Sequence, residues 1–362
     1  RFISSENEDS ECERVVNEII DMRLKRRCKY SNFAILYRGN YQAKLVEIKL
    51  QAQNIPYEIT GGQSFYAKTE IKDVMAYLRL LVNPDDDNAL LRIINTPRRQ
   101  IGPTTLEKLG GYANKRGLSL YDTIDEVGLS ASMPTNNLQR LKDFKRWIEQ
   151  ARKNVYEGNS IAAINEMLSD ADYLGWLHQN ASSDHVAQKR WDNVNFLLAQ
   201  LTQVLKNDQT DTSDIDGDSA IENAIAKLIL RDILDREEEE SADDKVQLLT
   251  LHAAKGLEFL HVFMIGMEED ILPHRNSVEG GQIEEERRLA YVGITRAQRT
   301  LTMTSARQRT QFGETSATTP SRFVDELPED DLIKIGGNTE TDAAENQAKG
   351  EESLAALKSL FG

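Results

Sequence analysis

Two short apolar runs separated by a polar turn do most to limit what this chain can fold into. The runs are residues 246–251 (VQLLTL) and 260–266 (LHVFMIG). Between them lies the turn His252-Ala253-Ala254-Lys255-Gly256-Leu257-Glu258. Near-continuous β-prone runs of this length suit strands buried on both faces, as in a parallel sheet covered by helices. The turn is therefore expected at a strand end, where open α/β sheets bind ligands. A helix is expected next over residues 284–295, with Leu289, Val292 and Thr295/Arg296 on one face at spacings of three to four. A third strand is expected over 300–305. Arg296 then falls between a helix end and a strand, a rigid placement, and its planar fork suits phosphate oxygens.

The chain before this stretch reads as β-α-β-α: a strand over 1–4, an amphipathic helix over 10–27, a buried strand over 33–37 (FAILY), a helix over 41–54 and a strand over 56–59. Arg38-Gly39-Asn40 follows FAILY directly. This order predicts a parallel sheet with helices on both faces. From about residue 74 the β signal fades. Helical periods dominate over 74–81, 87–95, 104–115, 137–155, 160–169, 187–205 and 220–235. The predicted organisation is one α/β domain in two parts, residues 1–73 and 244–332, interrupted by an all-helical insertion over 74–243. A flexible tail is expected over 333–362.

Hydrophobic residues make up 40% of the 362 positions and charged residues 28%, the balance of a soluble globular protein. No apolar run approaches a membrane span. Residues 1–11 contain no signal-peptide core. Cys12 and Cys28 are the only cysteines and form no CxxC pair, so a disulfide framework or zinc site is not expected and a reducing cytoplasm is. The net charge of −15 by itself argues against nucleic acid, whose phosphates need positive potential. The acid is clustered, however. Residues 237–244 hold six acidic groups and 208–218 hold five aspartates, whereas 89–116 holds six basic residues against the single acid Glu107.

The stretches TLHAAKGLEF and EERRLAYVGITRA resemble motifs V and VI of superfamily 1 DNA helicases of the Rep, UvrD and PcrA group. YRGNYQ, at residues 37–42, is similar to the group's YRxNxQ segment. GGQSFYAKTEIKD, from Gly61 to Asp73, is similar to its GGxxFxxxxEIKD hinge. The resemblance runs to about Leu332. It implies a RecA-like second motor domain (2A) interrupted by a helical subdomain (2B), in an ATP-driven motor that moves 3′ to 5′ on single-stranded DNA and unwinds duplex. It also implies that Arg296 stabilises the γ-phosphate charge, that Glu258 accepts a hydrogen bond from the ribose, and that Gly256 belongs to the same nucleotide-facing turn. His252 and Lys255, supported by Thr250, would lie between the DNA and the nucleotide. Arg38 and Asn40, with Gln42 beside them, would meet the single-strand backbone.

In the inserted part, Thr96–Thr105 reads TPRRQIGPTT. Gly102 permits a tight turn, and Pro103 and Thr104 suit a helix start. A helix N-terminus beside Arg98 and Arg99 can bind an anion. The resemblance makes this the motif that grips duplex backbone, and a simple capped turn is the alternative. Phe65 and Tyr66 suit either base stacking or a core. Trp147, Trp176 and Trp191 read as core. Residues 212–218 (TSDIDGD) lack EF-hand register and read as a solvated loop. Residues 352–361 carry leucines at helical spacing. They form either a partner-binding helix, which the resemblance would assign to the replicative helicase, or a frayed end.

The sequence contains no GxxxxGK[ST]. Phosphoryl transfer needs a phosphate loop, Mg²⁺ ligands and a positioned water. One wall of an ATP site is therefore expected here, with the phosphate loop, the Mg²⁺ ligands and the group's QxYRS segment in a motor half upstream. No metal ligand is expected in this chain, and the chain alone is expected not to hydrolyse ATP. The rival readings are the corresponding half of a UvrD-type repair helicase and a non-catalytic module that binds DNA or protein.

Overall fold

The computed structural model describes residues 1–211, 220–230, 244–311 and 314–336. Of the flexible tail expected over 333–362, residues 337–362 lie outside the described residues, as do the acidic run before Asp244 and the 212–218 loop, whereas Lys334–Ile335 form a strand against Phe2 and Ile3. The chain divides into two compact units, Arg1–Ser64 with Asp235–Gly362, and Phe65–Leu234.

The first unit is α/β. In chain order its elements are β1 (Phe2–Asn7), α1 (Glu8–Arg26), β2 (Phe33–Tyr37), α2 (Ala43–Ala52) and β3 (Tyr57–Thr60). After the insertion come β4 (Val246–Thr250), β5 (Phe259–Met264) and the short helix α12 (Arg275–Glu279). The strands lie in the order β3-β4-β2-β5 and continue through β6 (Ala297–Gln311), β1 and β8 (Lys334–Ile335). All of these neighbours pair in parallel, while β7 (Glu314–Ala317) pairs antiparallel with β6. The expected strands are all present. The reach of β6 to Gln311 and its hairpin with β7 were not expected, because residues 306–317 are too polar to read as a buried strand.

β2 shows how the sheet is covered. Its residues are all buried and alternate between two cores, as a period of two requires. Phe33, Ile35 and Tyr37 join Val15, Ile19, Val46 and Leu50 of α1 and α2. Ala34 and Leu36 join Leu289 and Ala290 of α13 (Ile283–Ile294) and Phe323 of α14 (Arg322–Asp325). α1 starts at Glu8, two residues before the expected start, because Asn7 and Ser10 form a reciprocal capping box.

A buried ion cluster ties the far end of β6 to the sheet. Arg309 bonds Glu11 of α1 and Glu268, 2.5 and 2.6 Å away, and both carboxylates are shielded from solvent. Glu11 also accepts from Gly266 N and Thr304 Oγ1, and Glu268 from Ala306 N.

The second unit is helical: α3 (Thr69–Val82), α4 (Asp87–Ile93), α5 (Pro103–Arg116), α6 (Leu120–Thr123), α7 (Thr135–Glu157), α8 (Ser160–Asp170), α9 (Tyr173–Gln179), α10 (Asp184–Asp211) and α11 (220–230). Its core begins at Phe65 and Tyr66, both fully buried, so these rings pack inside the unit and are not free to stack on bases. The acids that follow are wired inward too. Asp73 pairs with Arg92 at 2.8 Å and accepts from Tyr173 at 2.9 Å, and Glu70 accepts from Asn193 at 2.6 Å. The expected boundary at residues 73/74 thus falls within α3. Trp147, Trp176 and Trp191 pack against this core, partly buried.

Candidate functional site

The site residues lie on two opposite edges of the α/β sheet. At the carboxyl edge, three adjacent strands deliver three loops: Gly61-Gly62 after β3, the turn after Thr250 of β4, and Arg38-Gly39-Asn40 after β2. They crowd together. A Cβ on Gly61 would stand 3.6 Å from Ala253, and one on Gly62 the same distance from Asn40 Oδ1.

Arg38 is bound rather than free. Its Nε and Nη2 donate to the two carboxylate oxygens of Glu286, at 2.9 and 2.7 Å. Glu286 is buried in the first turn of α13 and also accepts from His274 N and Ser277 Oγ. Burial by itself would raise its pKa. The bonds from Arg38, His274 and Ser277 outweigh burial and hold the carboxyl below its usual range. Gln42, expected beside Arg38 at the DNA, is buried instead. Its Oε1 accepts from Arg38 N and Gly39 N, both at 3.0 Å, and its Nε2 donates to Ile265 O. The amide is spent on shaping the loop. Asn40 is exposed at the tip.

The segment 251–258 corrects one expectation. It does not stay at a carboxyl end. β4 and β5 are parallel, so their connection must travel to the opposite edge before β5 can begin. Thr250 starts it, accepting from Ala253 N at 3.2 Å through Oγ1, and Ala254 N donates to Thr250 O at 3.0 Å. His252, Lys255, Gly256 and Glu258 are exposed along the way. Gly256 has φ +86°, a left-handed backbone that favours glycine.

Glu258 and Arg296 therefore sit at the amino edge, where β5 and β6 begin. Arg296 lies where α13 meets β6, as the sequence suggested, and is held by three donors. Nε reaches Val292 O at 2.9 Å, Nη1 reaches Leu257 O at 2.8 Å, and Nη2 reaches Thr295 Oγ1 at 3.0 Å. One hydrogen on each Nη remains for a ligand. Phe259 N donates to Arg296 O, which stitches the two motifs together. Glu258 accepts from Gln298 Nε2 at 3.0 Å.

α13 runs back against the strands, with Glu286 at the carboxyl edge and Arg296 just past its last turn. Its twelve residues span roughly 18 Å. Gly293 lets it lie close, since a Cβ there would stand 2.6 Å from Leu251 Cδ2 and 2.8 Å from Met264 Cε. Two connections, segment 251–258 and α13, thus cross from one edge to the other.

In the helical unit the Arg98–Thr105 group divides. Arg99 points inward, donating to Ile93 O, Pro97 O and the Tyr77 hydroxyl, with its guanidinium over Phe144 and Trp147. Three of its five N–H hydrogens are spent on the fold and its guanidinium is stacked inside the unit, against the phosphate-facing role expected of it. Arg98 is exposed. Gly102 caps α5 with φ −85°, and a Cβ there would meet nothing within 4 Å. The tight turn expected of Gly102 is made by Gln100, at φ +59°. Thr104 is exposed in the first turn of α5, behind Pro103.

Among the described residues, no three His, Cys, Asp or Glu side chains converge to hold a metal ion, and no helix is long and apolar enough to cross a membrane. Cys12 and Cys28 are free thiols.

The sequence model of the UvrD-like helicase C-terminal domain matches residues 1–308. The chain is 43% identical over 361 residues to the ATP-dependent DNA helicase Rep of Escherichia coli (strain K12), an alignment covering 100% of this chain and 53% of that protein. It is 39% identical over 333 residues to Rep of Buchnera aphidicola subsp. Acyrthosiphon pisum (strain APS), covering 92% and 50%. With the ATP-dependent DNA helicase PcrA of Bacillus subtilis (strain 168) it shares 40% identity over 348 residues, covering 94% and 46%. The chain spans about half the length of these curated relatives. With this match spanning both parts of the sheet and the insertion between them, the chain belongs to the UvrD-like helicase C-terminal domain family.

Proposed function

We propose that this chain is the C-terminal motor portion of an ATP-dependent DNA helicase that translocates 3′ to 5′ on single-stranded DNA in replication or repair. The α/β unit is the second motor domain and the helical unit its inserted subdomain. The observation that carries this reading is the triple anchoring of Arg296 to Val292, Leu257 and Thr295, with free hydrogens on both Nη atoms. A guanidinium immobilised in this way needs little reorganisation to meet charge that develops on a transferring phosphoryl group.

ATP with Mg²⁺ supplies the phosphoryl chemistry when bound. Arg296 would place its two free donors on the γ-phosphate, and Glu258 would exchange Gln298 for a ribose hydroxyl. Gly256 lets the backbone turn between them. The Mg²⁺ ligands are assigned to the motor half that carries the phosphate loop. At the carboxyl edge, Arg38 and Asn40 hold the DNA backbone without reading its sequence. Thr250 shapes the turn that presents His252. His252 and Lys255 lie on a connection that crosses between the edges, so a shift at one end is felt at the other. Arg98, Gly102 and Thr104 meet the duplex at the single-strand/double-strand junction. The partners are DNA, the N-terminal motor half and, through the tail, the replicative helicase. The setting is the cytoplasm.

Phosphate release with single-stranded DNA in excess tests the reading. The 362-residue chain by itself should show no DNA-stimulated turnover, and joining it to a motor half that carries the phosphate loop should supply it. Motor-rate turnover by the chain alone would refute the half-site assignment.

A further inference from the structure

Tyr41 is the exposed aromatic at the carboxyl edge, on the same loop as Arg38 and Asn40, and it plays no part in the core. It keeps 51% of its surface in solvent. Its ring is nevertheless seated. A Cβ on Gly39 would stand 2.6 Å from Tyr41 Cε1 and 2.9 Å from Cδ1, so the ring lies across the glycine and any other residue at 39 would dislodge it. Burial of the phenol end raises its pKa, with Glu268 adding to the rise and Arg309 and Arg38 opposing it. About half of the residue thus stays open to water while the ring is held against the loop. Gln42 fixes the loop beneath it through Arg38 N and Gly39 N.

We propose that Tyr41 is a stacking platform for a base of single-stranded nucleic acid, and that it sets one nucleotide's position as Arg38 and Asn40 hold the backbone. This rests on the reading of the loop as the DNA face. A rigid ring loses little freedom on binding. Stacking tolerates any sequence because every base has a π-face, and a cation beside the ring adds backbone attraction. A motor that must move over all sequences needs contacts of this kind.

The test compares an oligothymidylate with the same backbone carrying abasic sites, measured by fluorescence anisotropy at low salt with the full chain. Tyr41→Ala should weaken oligothymidylate binding roughly 5- to 150-fold, the range that loss of one base–aromatic stack implies. Tyr41→Phe should bind like wild type. On the abasic strand, Tyr41→Ala and wild type should bind alike. Equal losses on both strands would mean that the ring only supports the loop, and no loss on oligothymidylate would mean that it meets no base. Either result overturns the proposal. Arg38→Ala separates the two levels of inference, because it should weaken both strands. If Arg38→Ala binds both like wild type while Tyr41→Ala behaves as described, Tyr41 stands and the backbone role of Arg38 falls. A wild-type chain that binds neither strand overturns both.

Discussion

Arg38, at the end of β2, and Glu286, in the first turn of α13, face each other through two parallel hydrogen bonds of 2.9 and 2.7 Å. Glu286 is almost wholly shielded (2% of its side chain exposed), whereas Arg38 keeps 22%. The asymmetry matters for function. The carboxylate cannot leave without stranding a buried charge, so Arg38 stays forked onto it and keeps only its remaining edge open to solvent.

Replacing Glu286 by Ala removes this hold. The cost should be about 3 kcal/mol, the lower end for breaking a buried pair, because Arg38 retains some solvent. Chemical denaturation reads the loss. DNA affinity should fall as well, and the fall should vanish in an Arg38→Ala background. Equal losses in both backgrounds would mean that Glu286 does not act through Arg38.

Acid should unlock the same pair. The folded pKa of Glu286 is depressed, so the stability it adds is fully present above the ordinary carboxylate value of about 4.3. That stability disappears as pH falls through the lower folded value. Denaturation midpoints of wild type and Glu286→Gln should therefore differ at pH 7 and converge in strong acid. A constant difference across that window would remove the linkage.

Arg296→Ala, made in a chain joined to its motor half, should lower kcat by about 10³–10⁵ while single-strand affinity holds. Arg296→Lys should not rescue, because one ammonium cannot keep three anchors and still reach a phosphate. Equal ATPase rates for wild type and Arg296→Ala would exclude the residue from the site.

The two neighbouring arginines of the helical unit should separate. Arg98→Glu should weaken duplex binding and lessen its log–log salt slope by roughly one unit per lost phosphate contact. Arg99→Ala should instead destabilise the unit by about 1–3 kcal/mol, leaving the Tyr77 hydroxyl and two carbonyls without their donor. The reverse assignment of effects would invert this reading.

Arg309→Met should be severe, about 3–5 kcal/mol by thermal or chemical unfolding, since it leaves Glu11 and Glu268 buried together without a cation. A loss below about 1 kcal/mol would mean that water already reaches the cluster.

The runs VQLLTL, LHVFMIG and FAILY pointed to a two-sided parallel sheet by themselves, because near-continuous β-prone apolar runs of strand length suit burial on both faces. Helical spacing determined the insertion in the same local way, and the helix–strand joint located Arg296. The motif residues were singled out by their resemblance to helicase motifs, since residue type alone does not separate them from ordinary surface groups. What they touch was decided only by tertiary structure. Nothing near Arg38 in sequence announces Glu286, which is 248 residues away. Adjacent Arg98 and Arg99 look alike until helix packing turns one inward. Glu11, Glu268 and Arg309 are far apart in sequence, yet the fold brings them together away from solvent. Local pattern reports which face of an element is apolar. Where distant charges meet, and which edge of the sheet a connection reaches, depend on strand order and register, and those exist only once the chain has folded.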